Sequence, residues 1–360
     1  MKKTDTYDDA KRNKCEHDHD HSSEAQLDHG RRNFMLSCGC FALSLSTIGT
    51  TLLAETSRAE VAAGGKPLKV GHLPAGCVSH LLLAKKRNMF AKEGLNVELI
   101  QFNGPADNLQ AMVAGTLQIV HNPWPTTMGA YAQGNNNLRI VGGSGLSGIE
   151  LVARKGSVKN ASEFIAAAGK GLRVGTLRLD TLEVVTYGMM SQNGKSYADY
   201  TMTFFPSMVG MGEALINGAV DVCSLAQPYA ESVVKKANGV YLVDSNDVWG
   251  PEAADCVINT TTEFIRSDPK LLTAYMRVLQ KAAKVFYDDF DAALDDLQPM
   301  YAAPREILAI ALKRQSPDPI INDAGASGIR NGVKYLIELG YFKTNFADEV
   351  LDLQYQPGTA

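Results

Sequence analysis

The sequence predicts an α/β fold, and two observations support that prediction. After residue 65, short apolar and β-branched runs alternate with segments of helical apolar periodicity. Two similar phrases, Leu109–Val120 and Ala214–Val222, each pass from a helix through a glycine into a short apolar strand. The alternation and the repeated phrase together indicate two α/β lobes of similar construction.

The first section of the pattern, from residue 66 to residue 147, alternates strands with helices. Strands are predicted at 68–72, 95–102, 117–120 and 138–141, and helices at 81–93, 106–114 and 128–133. The first two helices are expected to stop at Gly94 and Gly115, since glycine adopts the left-handed conformation that closes a helix.

A second section begins at Ile149. Strands are predicted at 149–154, 172–176, 201–205, 220–225, 241–243 and 256–259, and helices at 181–193, 209–217 and 229–236. From Asp268 to the C-terminus the apolar spacing is almost wholly helical.

An export leader precedes these elements. Arg31 and Arg32 stand before an uncharged, moderately apolar stretch, 33–54, and small residues follow at 57–63. Basic, apolar and small-residue regions in this order are typical of a signal peptide, and paired arginines are typical of the Tat type. The sequence therefore predicts a Tat-type signal at 31–63, read by the Tat translocase, and a periplasmic mature protein. The alternative is a cytoplasmic protein with an apolar arm.

A polar tail, 1–30, lies ahead of this leader and contains His17, His19 and His21 alternating with aspartates. Such a tract has metal-binding chemistry, although a solvated tail that leaves with the signal is the simpler interpretation. The net charge of −4 implies no nucleic-acid partner. Beyond the leader only Cys77, Cys223 and Cys256 remain, and none shows a CxxC spacing. No disulfide framework is therefore expected.

Several strings resemble the solute-binding proteins of ABC transporters for sulfonates, taurine, nitrate and thiamine pyrimidines. They are Val70–Pro74, Ala84–Leu99 with its Phe90-Ala-Lys-Glu-Gly-Leu-Asn-Val97 core, and Gln227–Tyr229 after the second repeated phrase. The resemblance covers roughly Lys66 to Phe342. It implies the type II periplasmic-binding-protein fold, in which two α/β lobes are joined by two crossing strands.

On that resemblance, lobe one comprises 66–147 and 255–360 with the C-terminal helices, and lobe two comprises 148–254. The crossings are expected near 148–154 and 255–261. The resemblance also implies a monomer without cofactor or catalysis, which holds a small molecule for a membrane-embedded ABC permease. Lobes joined in this way close around a ligand as rigid bodies.

Ligands of parallel α/β sheets bind beyond the carboxyl ends of the strands, where helices begin. Four segments meet this condition, 73–80, 121–127, 176–181 and 226–229, and Ser147 enters the first crossing. The predicted ligand contacts are therefore Cys77, His80, His121, Asn122, Trp124, Ser147, Thr176, Arg178, Thr181, Gln227 and Tyr229.

Each candidate has a structural alternative. Trp124 stands between two prolines and suits a rigid cleft wall, or it packs between lobes. Arg178 suits an anion clamp, or it pairs with Asp180 and Glu183. Asn122 can fix its own turn, Thr176 and Thr181 can cap a helix, and Tyr229 can serve packing alone.

His72, Cys77, His80 and His121 fall near predicted strand ends and are soft or borderline metal ligands. A metal site is one interpretation of these four, and hydrogen bonding to an organic or oxyanion ligand is another. Cys77 with His80 is also the best candidate for a catalytic pair. The sequence favours a binder of a small anion, such as a sulfonate or nitrate-like oxyanion. A thiamine-pyrimidine or metal-linked ligand, an enzyme and a sensor are the alternatives.

Overall fold

The computed structural model describes residues 66–358. The predicted tail and Tat-type leader lie outside the described residues. Twelve strands are present in this part of the chain: β1 Leu68–His72, β2 Val97–Gln101, β3 Ile119–Pro123, β4 Leu138–Gly143, β5 Gly145–Leu146, β6 Ile149–Ala153, β7 Arg173–Thr176, β8 Thr201–Phe204, β9 Val222–Ala226, β10 Val240–Asp244, β11 Cys256–Thr261 and β12 Ser316–Pro317.

Fifteen α-helices lie in the same described range. They are α1 Ser79–Lys86, α2 Met89–Lys92, α3 Pro105–Val113, α4 Trp124–Ala132, α5 Ala161–Ala166, α6 Thr181–Gln192, α7 Met208–Ile216, α8 Tyr229–Ala237, α9 Asn246–Trp249, α10 Thr262–Ser267, α11 Pro269–Asp288, α12 Phe290–Leu297, α13 Arg305–Arg314, α14 Asp323–Glu338 and α15 Ala347–Val350. None of these helices is long and apolar enough to cross a membrane.

The first sheet has the strand order β2-β1-β3-β11-β4. Strand β1 pairs in parallel with β2 and β3, whereas β11 runs antiparallel between β3 and β4. The inner strands β1, β3 and β11 are almost wholly buried because helices such as α1 and α11 cover the sheet. Val70, Ile119 and Ile258 are consequently fully buried.

The second sheet has the order β10-β6-β9-β7-β8. Strand β7 pairs in parallel with β8 and β9, and β6 runs antiparallel between β9 and β10. Val152, Val174 and Val222 form its buried centre. The two sheets therefore share one construction, with three parallel strands beside an antiparallel strand, β11 in the first sheet and β6 in the second. This is the predicted α/β class.

The chain passes between the sheets twice, at 144–148 and 245–255. Both passages lie a few residues before the predicted crossings, because β6 and β11 already belong to the sheets themselves. The two passages are joined by backbone hydrogen bonds, from Ser147 N to Ala253 O and from Asp255 N to Gly145 O, at 2.8 and 3.0 Å. The proposed lobe limits at 147 and 255 fall within or beside these passages.

The C-terminal helices divide between the two sheets. Helices α11 and α12 pack on α1 beside the first sheet. Helix α14 instead packs on α6 and α9 of the second section, where the Tyr335 hydroxyl accepts a 2.9 Å hydrogen bond from Gln192. It also reaches α4, since a β-carbon at Gly332 would lie 2.7 Å from the Trp124 ring. Helix α14 therefore contacts both sections.

Two local predictions differ from the structure. The single helix predicted at 81–93 is split into α1 and α2, because Asn88 adopts the left-handed conformation with φ of 53°. The loop predicted at 121–127 is absent from the described fold. Strand β3 continues to Pro123 and α4 begins directly at Trp124, with Pro125 in the first turn where a missing N–H is tolerated.

Candidate functional site

A cavity of about 330 Å³ lies between the two sheets. The segments that follow β1, β2 and β3 form one wall, and those that follow β7, β8 and β9 form the other. These are the carboxyl ends of the parallel strands in both sheets, the place where α/β folds bind ligands. The geometry thus makes this cavity the candidate site.

The cavity wall is mostly apolar, and a few polar side chains interrupt it. The polar lining residues are Asn103, Asp180, Thr181, Ser207, Tyr229 and Asp255. Among the described residues that line the cavity there is no lysine, arginine or histidine. The two ionisable carboxyl groups, Asp180 and Asp255, are 4% and 2% exposed.

Asp255 ends the second passage, immediately before β11. The Thr181 hydroxyl donates a hydrogen bond of 2.6 Å to Oδ1, and the Gln315 amide donates one of 2.7 Å to Oδ2. Burial raises the pKa of Asp255, and these donors act in the opposite direction. Asp255 thus joins the first sheet to the start of α6 across the cavity.

Asp180 is the N-cap of α6, and its Oδ1 accepts a hydrogen bond of 3.0 Å from Leu182 N. Burial raises the pKa of Asp180 to about 7, and the neighbouring charge of Asp255 adds to the rise. Asp180 and Asp255 are buried close together, and the described residues of the cavity wall supply no cation to neutralise them. The pair is therefore stabilised by binding a proton or a cationic group.

Cys256 follows Asp255 and lines the cavity, while Cys77 lies behind it. Both thiols are fully buried, and their sulfur atoms are 2.7 Å apart. Burial raises the pKa of Cys77 to about 11, and the charge of Asp255 adds to the rise. Cys77 was predicted to touch a ligand, but here it contacts Cys256 rather than the cavity.

The predicted histidines lie in the interior of the first section. His121 bonds to the Ser144 hydroxyl through Nδ1 at 2.6 Å and to the Tyr275 hydroxyl through Nε2 at 2.7 Å. Because Ser144 donates onward to the carbonyl of Cys77, Nδ1 carries the proton and Nε2 accepts. The ring therefore ties three segments together.

His80 is fully buried, and neither of its ring nitrogens has a partner among the described residues. His72 is bonded to the carbonyl of Leu73. The donor atoms that converge within 4.8 Å in the described part of the chain are those of Cys77, Asp255 and Cys256. The predicted metal set of His72, Cys77, His80 and His121 therefore does not assemble as one group.

Trp124 is fully buried and does not belong to the cavity wall in the described structure. Its indole N–H donates a hydrogen bond of 3.1 Å to Ala254 O, and its ring meets Trp249 edge to face. Asn122 is also buried and accepts a hydrogen bond from Asn108. The geometry favours the packing interpretation for both residues, and ligand contact remains only a prediction.

Other predicted contacts have local partners. Arg178 is exposed and lies 3.7 Å over the Phe204 ring, outside the cavity wall. The Thr176 hydroxyl bonds to Ser224 at 3.0 Å, and Gln227 Oε1 accepts from Glu231 N in the first turn of α8. Ser147 accepts a hydrogen bond of 2.7 Å from Asn246 within the passages.

Of the predicted set, Thr181 and Tyr229 line the cavity. The sequence pattern does not mark Asp255 and Cys256 as site residues, because they stand at the amino end of β11 and not at the carboxyl end of a strand. An antiparallel strand brings its amino end to the edge where β3 ends. Asp180 carried a usable signal, since an aspartate before a predicted helix is a good N-cap.

Two helix N-termini at the cavity, those of α6 and α7, are occupied by the protein's own caps. Asp180 binds the first turn of α6, and the Ser207 hydroxyl accepts a hydrogen bond of 3.3 Å from Gly210 N in α7. The start of α6 belongs to the segment 176–181, one of the four where the sequence predicts ligand contacts at a helix N-terminus. The caps reduce what the two helices can offer to an anion.

The fold is that of the periplasmic-binding-protein class. Residues 62–295 match the model of the NMT1-like family, and the chain belongs to that family. No curated protein matches the chain.

Solved structures give the same fold at low identity. The ligand-binding component of an ABC-type import system from Staphylococcus aureus, with zinc bound, is 18% identical with a TM-score of 0.71, covering 82% of this chain and 99% of that one. The periplasmic aliphatic sulphonate-binding protein of Escherichia coli is 15% identical with a TM-score of 0.67, covering 81% and 93%. The periplasmic nitrate-binding protein of Synechocystis PCC 6803 is 14% identical with a TM-score of 0.66, covering 80% and 86%.

Proposed function

We propose that this chain is an extracytoplasmic solute-binding protein that captures a small molecule between two lobes for an ABC-type importer. The family match, the fold and the cavity at the strand ends support this proposal. The lobes comprise 66–147 with 255–360, and 148–254, and a membrane permease receives the ligand. Binding without turnover is expected, so the ligand is recovered unchanged.

The charge of the cavity wall supports a ligand with a cationic or N–H-donating end. Asp180 and Asp255 are buried in a mostly apolar wall whose described residues include no basic side chain. A buried carboxylate is stabilised by a charged partner, and its desolvation is unfavourable without one. A small organic amine, amidine or aminoheterocycle supplies that partner and places its apolar body on the remaining wall.

An anion such as sulfonate or nitrate, expected from the sequence, meets two obstacles in this cavity. It would approach two carboxyl groups, and two of the helix N-termini that would attract it already bind Asp180 and Ser207. The volume of about 330 Å³ lies near the lower end of the about 300–1,000 Å³ typical of ligand pockets, which favours a small ligand.

Calorimetric titration with benzylamine and benzenesulfonate tests the ligand class, because the two share a ring and differ in charge. We expect the amine to bind and the sulfonate to fail. Asp255→Asn is expected to weaken amine binding at least about tenfold, the effect of losing a charge-assisted hydrogen bond. Asp107→Asn, an exposed carboxyl in the first turn of α3, is the matched control.

The pH dependence of this titration gives a second readout. Because the pKa of Asp180 is raised to about 7, its carboxylate form is lost as the pH falls below 7. Amine affinity should therefore fall from pH 8 to pH 6 in the wild-type protein. Tight binding of benzenesulfonate or nitrate, unchanged by Asp255→Asn, would exclude the amine proposal and restore the anionic one.

A further inference from the structure

Two of the three described cysteines meet at the cavity wall although they are 179 residues apart in the chain. Cys77 lies in a short 3₁₀ helix, Gly76–Val78, after β1, and Cys256 is the first residue of β11. Their sulfur atoms are 2.7 Å apart, closer than ordinary contact between non-bonded heavy atoms at about 3.5 Å or more. Such proximity is unusual for two thiols without a shared chemical role.

We propose that Cys77 and Cys256 form a disulfide that fixes the floor of the ligand cavity. A disulfide bond measures about 2.0 Å, so the sulfurs need to approach by only about 0.7 Å. The third cysteine, Cys223, lies on β9 in the second section and is not part of this pair.

The bond joins two segments that shape the cavity. Cys77 belongs to the segment whose residues Leu73–Ala75 line the wall, and Gly76 N donates a hydrogen bond of 2.8 Å to Gln227 O across the cleft. Cys256 follows Asp255 at the end of the second passage. A cross-link here therefore holds the wall, the passage and Asp255 in one fixed arrangement.

The chemistry is a thiol–disulfide exchange with a disulfide-bearing oxidant. One cysteine thiolate attacks oxidised glutathione, forms a mixed disulfide and releases one glutathione thiolate. The second cysteine thiolate attacks the mixed disulfide, forms the protein disulfide and releases the second glutathione. Two protein thiols are oxidised, one glutathione disulfide is reduced to two thiols, and the two protons from the cysteines are taken up by the released glutathione.

Burial of the two thiols limits this exchange to the time before folding is complete. Both thiols are fully buried beside Asp255, and burial raises the pKa of each, so the thiolate is scarce in the folded protein. The disulfide is therefore expected to form during folding and to be shielded from reductants afterwards. Its formation in the cell rests on the proposed extracytoplasmic location, where disulfides persist.

A shared metal ion fits the same pair less well. Two thiolates on tetrahedral zinc, each about 2.3 Å from the metal, stand about 3.8 Å apart, farther than the sulfurs here. The geometry therefore favours the disulfide over a metal site.

Refolding from urea with oxidised glutathione tests the proposal, because both thiols are accessible to the oxidant before the chain folds. The refolded chain is alkylated in denaturant with and without prior reduction, digested and mapped by mass spectrometry. We expect a linked Cys77–Cys256 peptide, two hydrogens lighter than its reduced parts, and alkylated Cys223 in both samples. The melting temperature of the oxidised form should exceed that of the reduced form by about 5 °C or more.

Cys223→Ser should keep this difference, and Cys77→Ala should abolish it. If Cys77→Ala fails to fold, the comparison of oxidised and reduced wild-type protein still decides. Full alkylation of Cys77 and Cys256 after oxidative refolding would overturn the proposal, as would a link to Cys223. Stoichiometric zinc in the purified protein, lost in Cys256→Ser, would assign the pair to a metal instead. None of these outcomes depends on the ligand of the cavity.

Discussion

At the scale of single residues, two buried histidines differ in how they affect the stability of the fold. His80 and His121 lie with ring centroids 5.8 Å apart, yet their surroundings differ. Both nitrogens of His121 are bonded, whereas those of His80 have no partner among the described residues. Burial lowers the pKa of His80 to about 3. Its contribution to stability is therefore pH-dependent.

The sign of that dependence follows from proton binding. In the unfolded chain His80 takes up a proton near pH 6.5, and in the folded state it stays neutral down to about pH 3. The unfolded state thus binds more protons between these values, and stability falls as the pH drops. From pH 7 to pH 5.5, His80 alone should lower the free energy of unfolding by about 1 kcal/mol.

His80→Leu removes this term together with two unpartnered polar atoms. We expect little change in the free energy of unfolding at pH 7 and a shallower loss toward pH 5.5, measured by urea denaturation at several pH values. His121→Leu is the matched comparison, because it leaves the Tyr275 hydroxyl without its acceptor and removes the donor to the Ser144 hydroxyl. It should destabilise by about 1–3 kcal/mol at pH 7. A His80→Leu profile parallel to that of the wild type would contradict this account.

At the scale of elements, most helices and strands follow the local periodicity closely. The strand predicted at 172–176 is β7 at Arg173–Thr176, and the helix predicted at 181–193 is α6 at Thr181–Gln192. These elements are predictable because their apolar spacing and capping residues are local properties. What the pattern did not predict is the packing of α14 against both α4 and α6, which depends on contacts distant in sequence.

That packing predicts the role of Trp124. Its ring packs between Trp249 and Gly332 where α4 meets α14, so truncation leaves a large cavity. Trp124→Ala should lower the free energy of unfolding by about 3–5 kcal/mol, with ligand affinity changed only a few-fold. Tyr229→Ala, at the half-buried cavity wall, should show the reverse pattern. A stable Trp124→Ala protein that binds the ligand weakly would show that Trp124 contacts the ligand.

At the scale of the whole molecule, two passages of chain and one helix connect the sections. The passages at 144–148 and 245–255 hydrogen bond to each other, while α14 contacts both sections at a separate place. In the proposed two-lobed binder, opening of the cleft would bend the passages and shift the contacts that α14 makes with both sections. A ligand that contacts both walls favours the closed arrangement.

Small-angle scattering tests this motion with the amine that saturates the calorimetric titration. We expect a smaller radius of gyration for the saturated protein than for the free protein. The Asp255→Asn protein at the same amine concentration is the control, since its weakened binding should leave the value near that of the free form. Equal radii at confirmed saturation of the wild type would argue that the cavity binds without closure.

The sequence by itself determined the α/β class, the order of the elements and the edge of the sheets where the candidate cavity lies. Its apolar periodicity and strand ends are local, so they required no knowledge of contacts. The tertiary structure alone decided that Asp255 and Cys256 meet Asp180 and Thr181 at one cavity, with Cys77 behind Cys256. The reason is the antiparallel insertion of β11 between β3 and β4, which brings residues near 256 beside those near 77 and 123. No local pattern encodes that pairing, because it depends on how strands distant in sequence are ordered in the sheet.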